Sequence, residues 1–275
     1  MKPLPRVDVI ELFPRERTAL IALLSPLDAA RWETATALPG WAVKDIAAHI
    51  VGDDFGVISR QRDGYVASHF DGGWDELVEF INHQNDVWVR SMRRCSPRLL
   101  LELLEFSGER TLAHFRARDL DAIGPAVSWA GDEPAPVWLD VAREYTERWH
   151  HQQQIRDALC VPGLRERRFF APVLETFVRA LPRTFEDVDA KEGLHLQLKV
   201  TGDAGGAWSL VRADGRWQLA IDVEAPPDAG LTIDEDAAWR LMTRAMTPEE
   251  ALPVASLAGD AALARRLLDV VAIIA

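Results

Sequence analysis

Cysteine is scarce in this chain, with only Cys95 and Cys160 among 275 residues. Two thiols that do not form a C-x-x-C pair do not staple a protein of this length, which sets aside a disulfide framework and a cysteine-based metal site. Arg93 and Arg94 beside Cys95 are neighbours of the kind that lower a thiol pKa, although the commoner role of such a cysteine is that of a plain surface or core residue. Long apolar runs are missing as well. Stretches such as the terminal VVAIIA fall far short of the roughly 20 residues a membrane helix needs. The opening MKPLPRVDVIELF carries charges inside any apolar segment and has no small-residue cleavage site, so it does not read as a signal peptide. Positive charge is in deficit: 31 Lys and Arg face 43 Asp and Glu, for a net charge of -12 and a pI near 5.1. The averaged field repels phosphate backbones and anionic membrane surfaces, which argues against nucleic acid or membrane partners. Low-complexity tracts and internal repeats are absent, and 48% hydrophobic with 27% charged residues is the balance of a folded chain. The expectation is a soluble, cytoplasmic protein.

What is present divides in two. Up to about residue 160 the apolar residues return every three or four positions and strand signals are lacking, so helices are expected almost throughout. A first helix fits 14–27, with Pro14 tolerated in its first turn. A second starts at Trp41 and runs through DIAAHIVGDDFGVISR, a third covers 74–93, and a fourth opens at Ser96-Pro97, where serine caps and proline fills the first turn. The last spans about 136–159. Long helices with polar connections suggest an antiparallel bundle. At VPGLRERRFF the character changes, and a domain boundary is placed between 162 and 163. After a short helix around 173–181 come β-rich segments HLQLKV, WSLVRADGRWQLAIDV and GLTID, with Asp214-Gly215 a hairpin signal between two of them. Helices over 235–245 and 260–274 close the chain. A run of antiparallel strands followed by helices makes residues 163–275 a small α+β domain.

The stretch EYTERWHHQQQIRDAL carries the candidate chemistry. Glu147 and His151, four apart on a helix, project from one face and can share a metal, since carboxylate oxygen and neutral imidazole nitrogen both ligate zinc-like ions. A third donor has to come from another helix, and His49 lies inside the apolar run DIAAHIVG. Asp45, one turn earlier, is placed to accept from the second ring nitrogen and fix its tautomer. Two histidines and one carboxylate leave coordination positions open, as in catalytic sites. Spacing alone leaves alternatives: Glu144 lies on a similar face to Glu147, His150 adjoins His151, and an E-x-x-x-H pair is often a surface ion pair. Trp41, Trp138 and Trp149 read as core residues.

The segment LPGWAVKDIAAHIVGDD resembles the W-x-x-x-D-x-x-x-H signature of the DinB-like bundle in the mycothiol-dependent maleylpyruvate isomerase family, through Trp41, Asp45 and His49. The later segment resembles that family's E-x-x-x-H-x-x-D-I-R element through Glu147, His151, Ile155 and Arg156, with Gln154 where aspartate is common. TGDAGGAWSLVRADGRWQLA, AAWRLMTRAMTPEEA and ASLAGDAALARRLL look like the sterol-carrier-like module attached to many such proteins. The resemblance implies a DinB-like antiparallel four-helix bundle at 1–162 followed by a sterol-carrier-like α+β domain at 163–275. It implies one divalent metal, zinc by default, on His49, Glu147 and His151, with Asp45 behind them and His150 a bystander. Mycothiol is the implied thiol cosubstrate, held as its thiolate. The implied reaction adds that thiolate to the double bond of maleylpyruvate, allows rotation in the adduct, and eliminates fumarylpyruvate; a related thiol S-transferase is the broader statement. Such a substrate is a dianion and needs cations, for which Arg240 and Arg244, four apart in the second domain, are the candidates. The competing functions are a small-molecule or lipid-binding protein with a structural metal, and a metal-dependent regulator. Metal identity and oligomeric state stay open.

Overall fold

A computed structural model of the chain describes residues 2–66, 72 and 74–273. They form two compact units, one of Val9–Asp119 with Glu144–Leu164, the other of Met1–Asp8, Leu120–Arg143 and Arg165–Ala275. The sequence boundary at 162/163 did not anticipate that the first eight residues and the segment 120–143 group with the C-terminal part of the chain.

The first unit is helical. Its helices are α1 (Phe13–Leu24), α2 (Val43–Val57), α3 (Trp74–Met92), α4 (Pro97–Ala117) and the greater part of α5 (Val137–Leu159). The local signals behave as read. Pro14 sits in the first turn of α1, and Ser25 ends it by donating back to the Ile21 carbonyl. The Ser96 hydroxyl accepts from the Leu99 amide with Pro97 in the first turn of α4. α2 lacks a capping side chain at Ala42, and Asp45 compensates by accepting from the Ala42 amide at 3.0 Å. α2 packs against both α3 and α4, and α1 packs on α4. Gly52 permits the first of these contacts, because a Cβ there would lie 2.6 Å from the Trp88 indole nitrogen, which donates to the Ala48 carbonyl. Leu20, Leu24, Ile46, Ile50, Leu104 and Ile155 are fully buried at the centre.

A second, polar layer crosses this core. The Asp54 carboxylate, wholly buried on α2, accepts from Arg17 of α1 at 2.8 Å, from Ser107 of α4 at 2.6 Å, and from Arg148 of α5 at 2.7 and 3.0 Å. Arg17 also donates to the Leu104 carbonyl, and Arg148 to Glu144. One turn further along α5, Gln152 donates to Glu16 and accepts from Arg156. Arg156 is thus a pairing residue, and it reaches on to the Pro162 carbonyl.

The other unit is built on a six-stranded mixed sheet. Its strands are β1 (Lys2–Pro3), β2 (His195–Thr201), β3 (Gly206–Ala213), β4 (Arg216–Ile221), β5 (Ala229–Asp234) and β6 (Ser256–Gly259), in the order β1-β4-β3-β2-β5-β6. Asp214 and Gly215 both take left-handed φ angles in the β3–β4 hairpin, as an Asp-Gly turn requires. β5 lies parallel to β2, although an antiparallel run was expected; pairing direction depends on distant partners that local alternation does not encode. Likewise β1 and the two-residue pair Ile123–Gly124 with Ala135–Pro136 are too short to leave a period. α6 (Arg167–Phe177) starts six residues before the helix expected at 173–181, and the helical course continues through a 3-10 turn at Val178–Ala180 and a short helix at Leu181–Thr184. α7 (Glu235–Met242) and α8 (Ala261–Arg266) are capped by Asp234 and Asp260. Both end earlier than their apolar patterns suggested, and Ile274 lies outside the described residues. No described helix is long and apolar enough to cross a membrane.

Leu104 has no solvent exposure, so Leu104→Ala is expected to cost about 2–5 kcal/mol. Urea denaturation with an unchanged slope and a lower midpoint checks it.

Candidate metal centre

His49 and His151 come from α2 and α5 and meet inside the helical unit. Their Nε2 atoms stand 3.0 Å apart, with the rings nearly perpendicular at 89°. The Trp41 ring lies edge-on to His49 at a centroid distance of 5.3 Å. The Asp53 carboxylate, one turn beyond His49, lies 3.4 Å from His49 Nε2. The donor atoms of His49, Asp53 and His151 all fall within 4.8 Å of one another. Both imidazoles are buried, whereas the Asp53 side chain keeps 27% exposure, so the carboxylate side of the cluster is the one open to solvent.

The spacing suits a small divalent ion. Bonds of about 2.0–2.1 Å at a tetrahedral angle set ligand atoms about 3.3 Å apart, and the two observed separations of 3.0 and 3.4 Å straddle that value. The donor set, two imidazole nitrogens and one carboxylate oxygen, belongs to zinc and its borderline neighbours. Gln154 completes the arrangement. Its Oε1 accepts from His151 Nδ1 at 2.9 Å, which leaves Nε2 of that ring as the lone-pair nitrogen aimed at the cluster. His49 Nε2 is then the donor in the contact between the two rings.

The structure redistributes several roles. The carboxylate grouped with the imidazoles is Asp53, where the sequence reading placed Glu147; Glu147 Oε2 stands 3.9 Å from His151 Nε2. The spacing His49-x-x-x-Asp53 carries the same one-turn signal as Glu147-x-x-x-His151, and it was there to be read. Asp45 does not serve His49: it closes the first turn of α2 and takes two hydrogen bonds from Arg93, at 2.9 and 3.0 Å. Glu144, the alternative carboxylate, pairs with Arg148 at 2.7 Å. His150 lies beside the site, its ring centroid 5.4 Å from that of His151. Trp149 is fully buried and donates to the Leu164 carbonyl. In the other unit, Arg240 donates to Asp236 at 3.0 Å. Arg244 lies beyond the last turn of α7 at φ 59°, so the two arginines do not share a helix face as their four-residue spacing implied.

Electrostatics keep the imidazoles neutral. Burial pushes His49 well below the ordinary imidazole value, helped by His151 and Arg148. Burial also lowers His151, to about 4, with Arg148 adding to the shift and the Gln154 hydrogen bond opposing it. Asp53 moves the other way: burial raises it well above the ordinary carboxylate value, Glu147 and Glu144 add to the rise, and Arg148 opposes it. Neutral imidazole is the ligating form, so neither ring carries a positive charge to shed near neutrality; His49 has only to move its hydrogen from Nε2 to Nδ1 to offer that atom to a cation.

The family described as Mycothiol maleylpyruvate isomerase N-terminal domain matches residues 13–156. Two crystal structures of the mycothiol-dependent maleylpyruvate isomerase, one of them of a histidine-to-alanine mutant, match at 13% identity over 88% of this chain and 91% of that one, with a TM-score of 0.54. At that identity the likeness is one of fold. Sterol Carrier Protein 2 Like 2 from Aedes aegypti matches at 23% identity over 36% of this chain and 95% of that one, with a TM-score of 0.28. Comparison with curated protein sequences returns no match.

In the metal-free protein the His151 ring is expected to titrate near pH 4 in place of its ordinary 6.5. Between those values the unfolded chain takes up a proton that the folded one refuses, so this group makes stability fall as pH drops through that window and level off below it. Ring carbon chemical shifts followed by NMR check it; a His151 midpoint near the ordinary value contradicts the burial argument.

Proposed function

This chain belongs to the family of the mycothiol maleylpyruvate isomerase N-terminal domain, and on that footing we propose that it is a metal-dependent enzyme working with a low-molecular-weight thiol, an isomerase of maleylpyruvate type or a related thiol S-transferase. The observation that carries this reading is the convergence of His49, Asp53 and His151 on one point that is buried on the imidazole side and open on the carboxylate side.

His49, His151 and Asp53 would hold the ion, with Glu147 as the further carboxylate beside His151. When bound, a divalent ion supplies Lewis acidity and favours the thiolate form of an approaching thiol. The chain's own contribution is positional. Gln154 holds His151 in one tautomer, and Trp41 closes the flank of His49. Asp53 stands at the more exposed side of the two rings, its side chain 27% exposed. In the proposed reaction the thiolate adds to a cis carbon–carbon double bond conjugated to a carbonyl, the adduct turns about the resulting single bond, and elimination returns the thiol with the trans product. The dianionic substrate calls for a cation. We propose Arg244 ahead of Arg240 for that task, since Arg240 is held by Asp236 while the Arg244 side chain is exposed.

Purified protein should carry about one equivalent of divalent metal by elemental analysis. Ala substitution of His49, His151 or Asp53 is expected to remove it, whereas Glu147→Ala and Gln154→Leu should weaken binding about tenfold. Full occupancy in the Asp53 variant together with loss in the Glu147 variant would return the third ligand position to Glu147. Turnover of maleylpyruvate should require added mycothiol, and robust turnover without any thiol would reject the mechanism. Arg244→Ala should raise KM severalfold with kcat kept.

A further inference from the structure

We infer that Arg148 is the positioning residue of the metal centre, setting the distance between α2 and α5 at which His49 and His151 meet. The inference rests on the reading that these histidines hold a metal. Two helices that approach only through their side chains need a device to fix their separation and register. Arg148 supplies one, donating from Nε and Nη2 to a single Asp54 oxygen, Oδ1, across the gap between α5 and α2, at 3.0 and 2.7 Å. A planar guanidinium binding through two nitrogens constrains rotation as well as distance, which a single point charge does not.

The attachment points lie next to the ligands. Asp54 follows Asp53 and sits five residues after His49 on α2, and Arg148 lies three residues before His151 on α5. Both ends are themselves clamped. Asp54 is also held by Arg17 and Ser107, and Arg148 by the side chain and the carbonyl of Glu144 at 2.7 Å each. With Asp54 at no exposure and Arg148 at 1%, the pair is unscreened by solvent and has few ways to relax. Buried ion pairs are weak sources of net stability but strong sources of geometric definition where both partners are tied down.

Charge and geometry predict opposite outcomes on substitution. Arg148 is a cation close enough to lower the proton affinity of both imidazoles, so its charge opposes a second cation at the site. By electrostatics alone, removing it would strengthen metal binding. As a positioning residue, its removal weakens binding, and so does Arg148→Lys, which keeps the charge and loses the fork. Arg17 provides the matched comparison, because it pairs with the same carboxylate from α1 and does not connect α2 to α5.

The test titrates zinc chloride alone, against a competing chelator, into the metal-free full-length protein and its Arg148→Lys, Arg148→Met and Arg17→Met variants, with melting temperatures recorded alongside. Both Arg148 variants are expected to bind zinc at least about tenfold more weakly, and Arg17→Met within twofold of the parent despite a lower Tm. In the metal-free state, the His49 Nε2 proton shared with His151 should give a downfield NMR resonance that survives in Arg17→Met and disappears in Arg148→Met. Zinc binding by the Arg148 variants that is unchanged or tighter overturns the inference, as does an equal loss in Arg17→Met. A parent protein that takes up no zinc overturns the metal reading itself, and retention of the shared-proton resonance in Arg148→Met then refutes the positioning role independently of any metal.

Discussion

One buried carboxylate organises the helical unit. Taking Asp54 out of water without compensation would cost several kcal/mol, and the bundle meets that cost with two guanidinium groups and a hydroxyl drawn from three other helices. These opposing charges hold Asp54 below the ordinary carboxylate value although burial works against ionisation. The arrangement has a steric corollary. An apolar core tolerates sliding of one helix past another by repacking, whereas a charge with this many directed bonds has one place to be. His49 and His151 lie on the same two helices that this carboxylate and Arg148 join.

The site continues the same polar layer outward. Along α5, Glu144, Arg148, Gln152 and Arg156 form one stripe of hydrogen-bonded groups, and Glu147 and His151 lie on the adjoining face. Along α2, Asp54 turns inward to the arginines and Asp53 turns to the histidines. The helical unit therefore carries its polar interior and its reactive surface on consecutive residues of two helices. That economy explains why so many charged side chains in α5 are buried in a protein whose overall composition is ordinary.

Much of the architecture was legible because it is local. Ser96-Pro97 capping α4, Pro14 opening α1 and Asp214-Gly215 turning between β3 and β4 are each decided within a few residues, and the sequence reading located all three. Pairing was less legible. The parallel neighbour of β2 and the short edge strand at Lys2–Pro3 depend on partners far along the chain. At the site, His49 came forward because it sits inside an apolar run, and His151 because it stands one helical turn from Glu147. Asp53, the carboxylate that the structure groups with the two rings, was not among the carboxylates considered as ligands, which were Glu147 and Glu144. Asp45 and Asp53 are both one turn from His49, in opposite directions, and only the helix start, which needed Asp45 as an acceptor for the Ala42 amide, decides between them. The common helix face expected of Arg240 and Arg244 rested on helix-like spacing extended past Met242, where α7 stops.

Gln154 has a further consequence. An amide orients the imidazole behind the cluster as a carboxylate would, yet brings no formal charge with it. Negative charge at the cluster therefore comes from Asp53 and from Glu147, whose carboxylate stands 3.9 Å from His151 Nε2, and not from the group behind the ring.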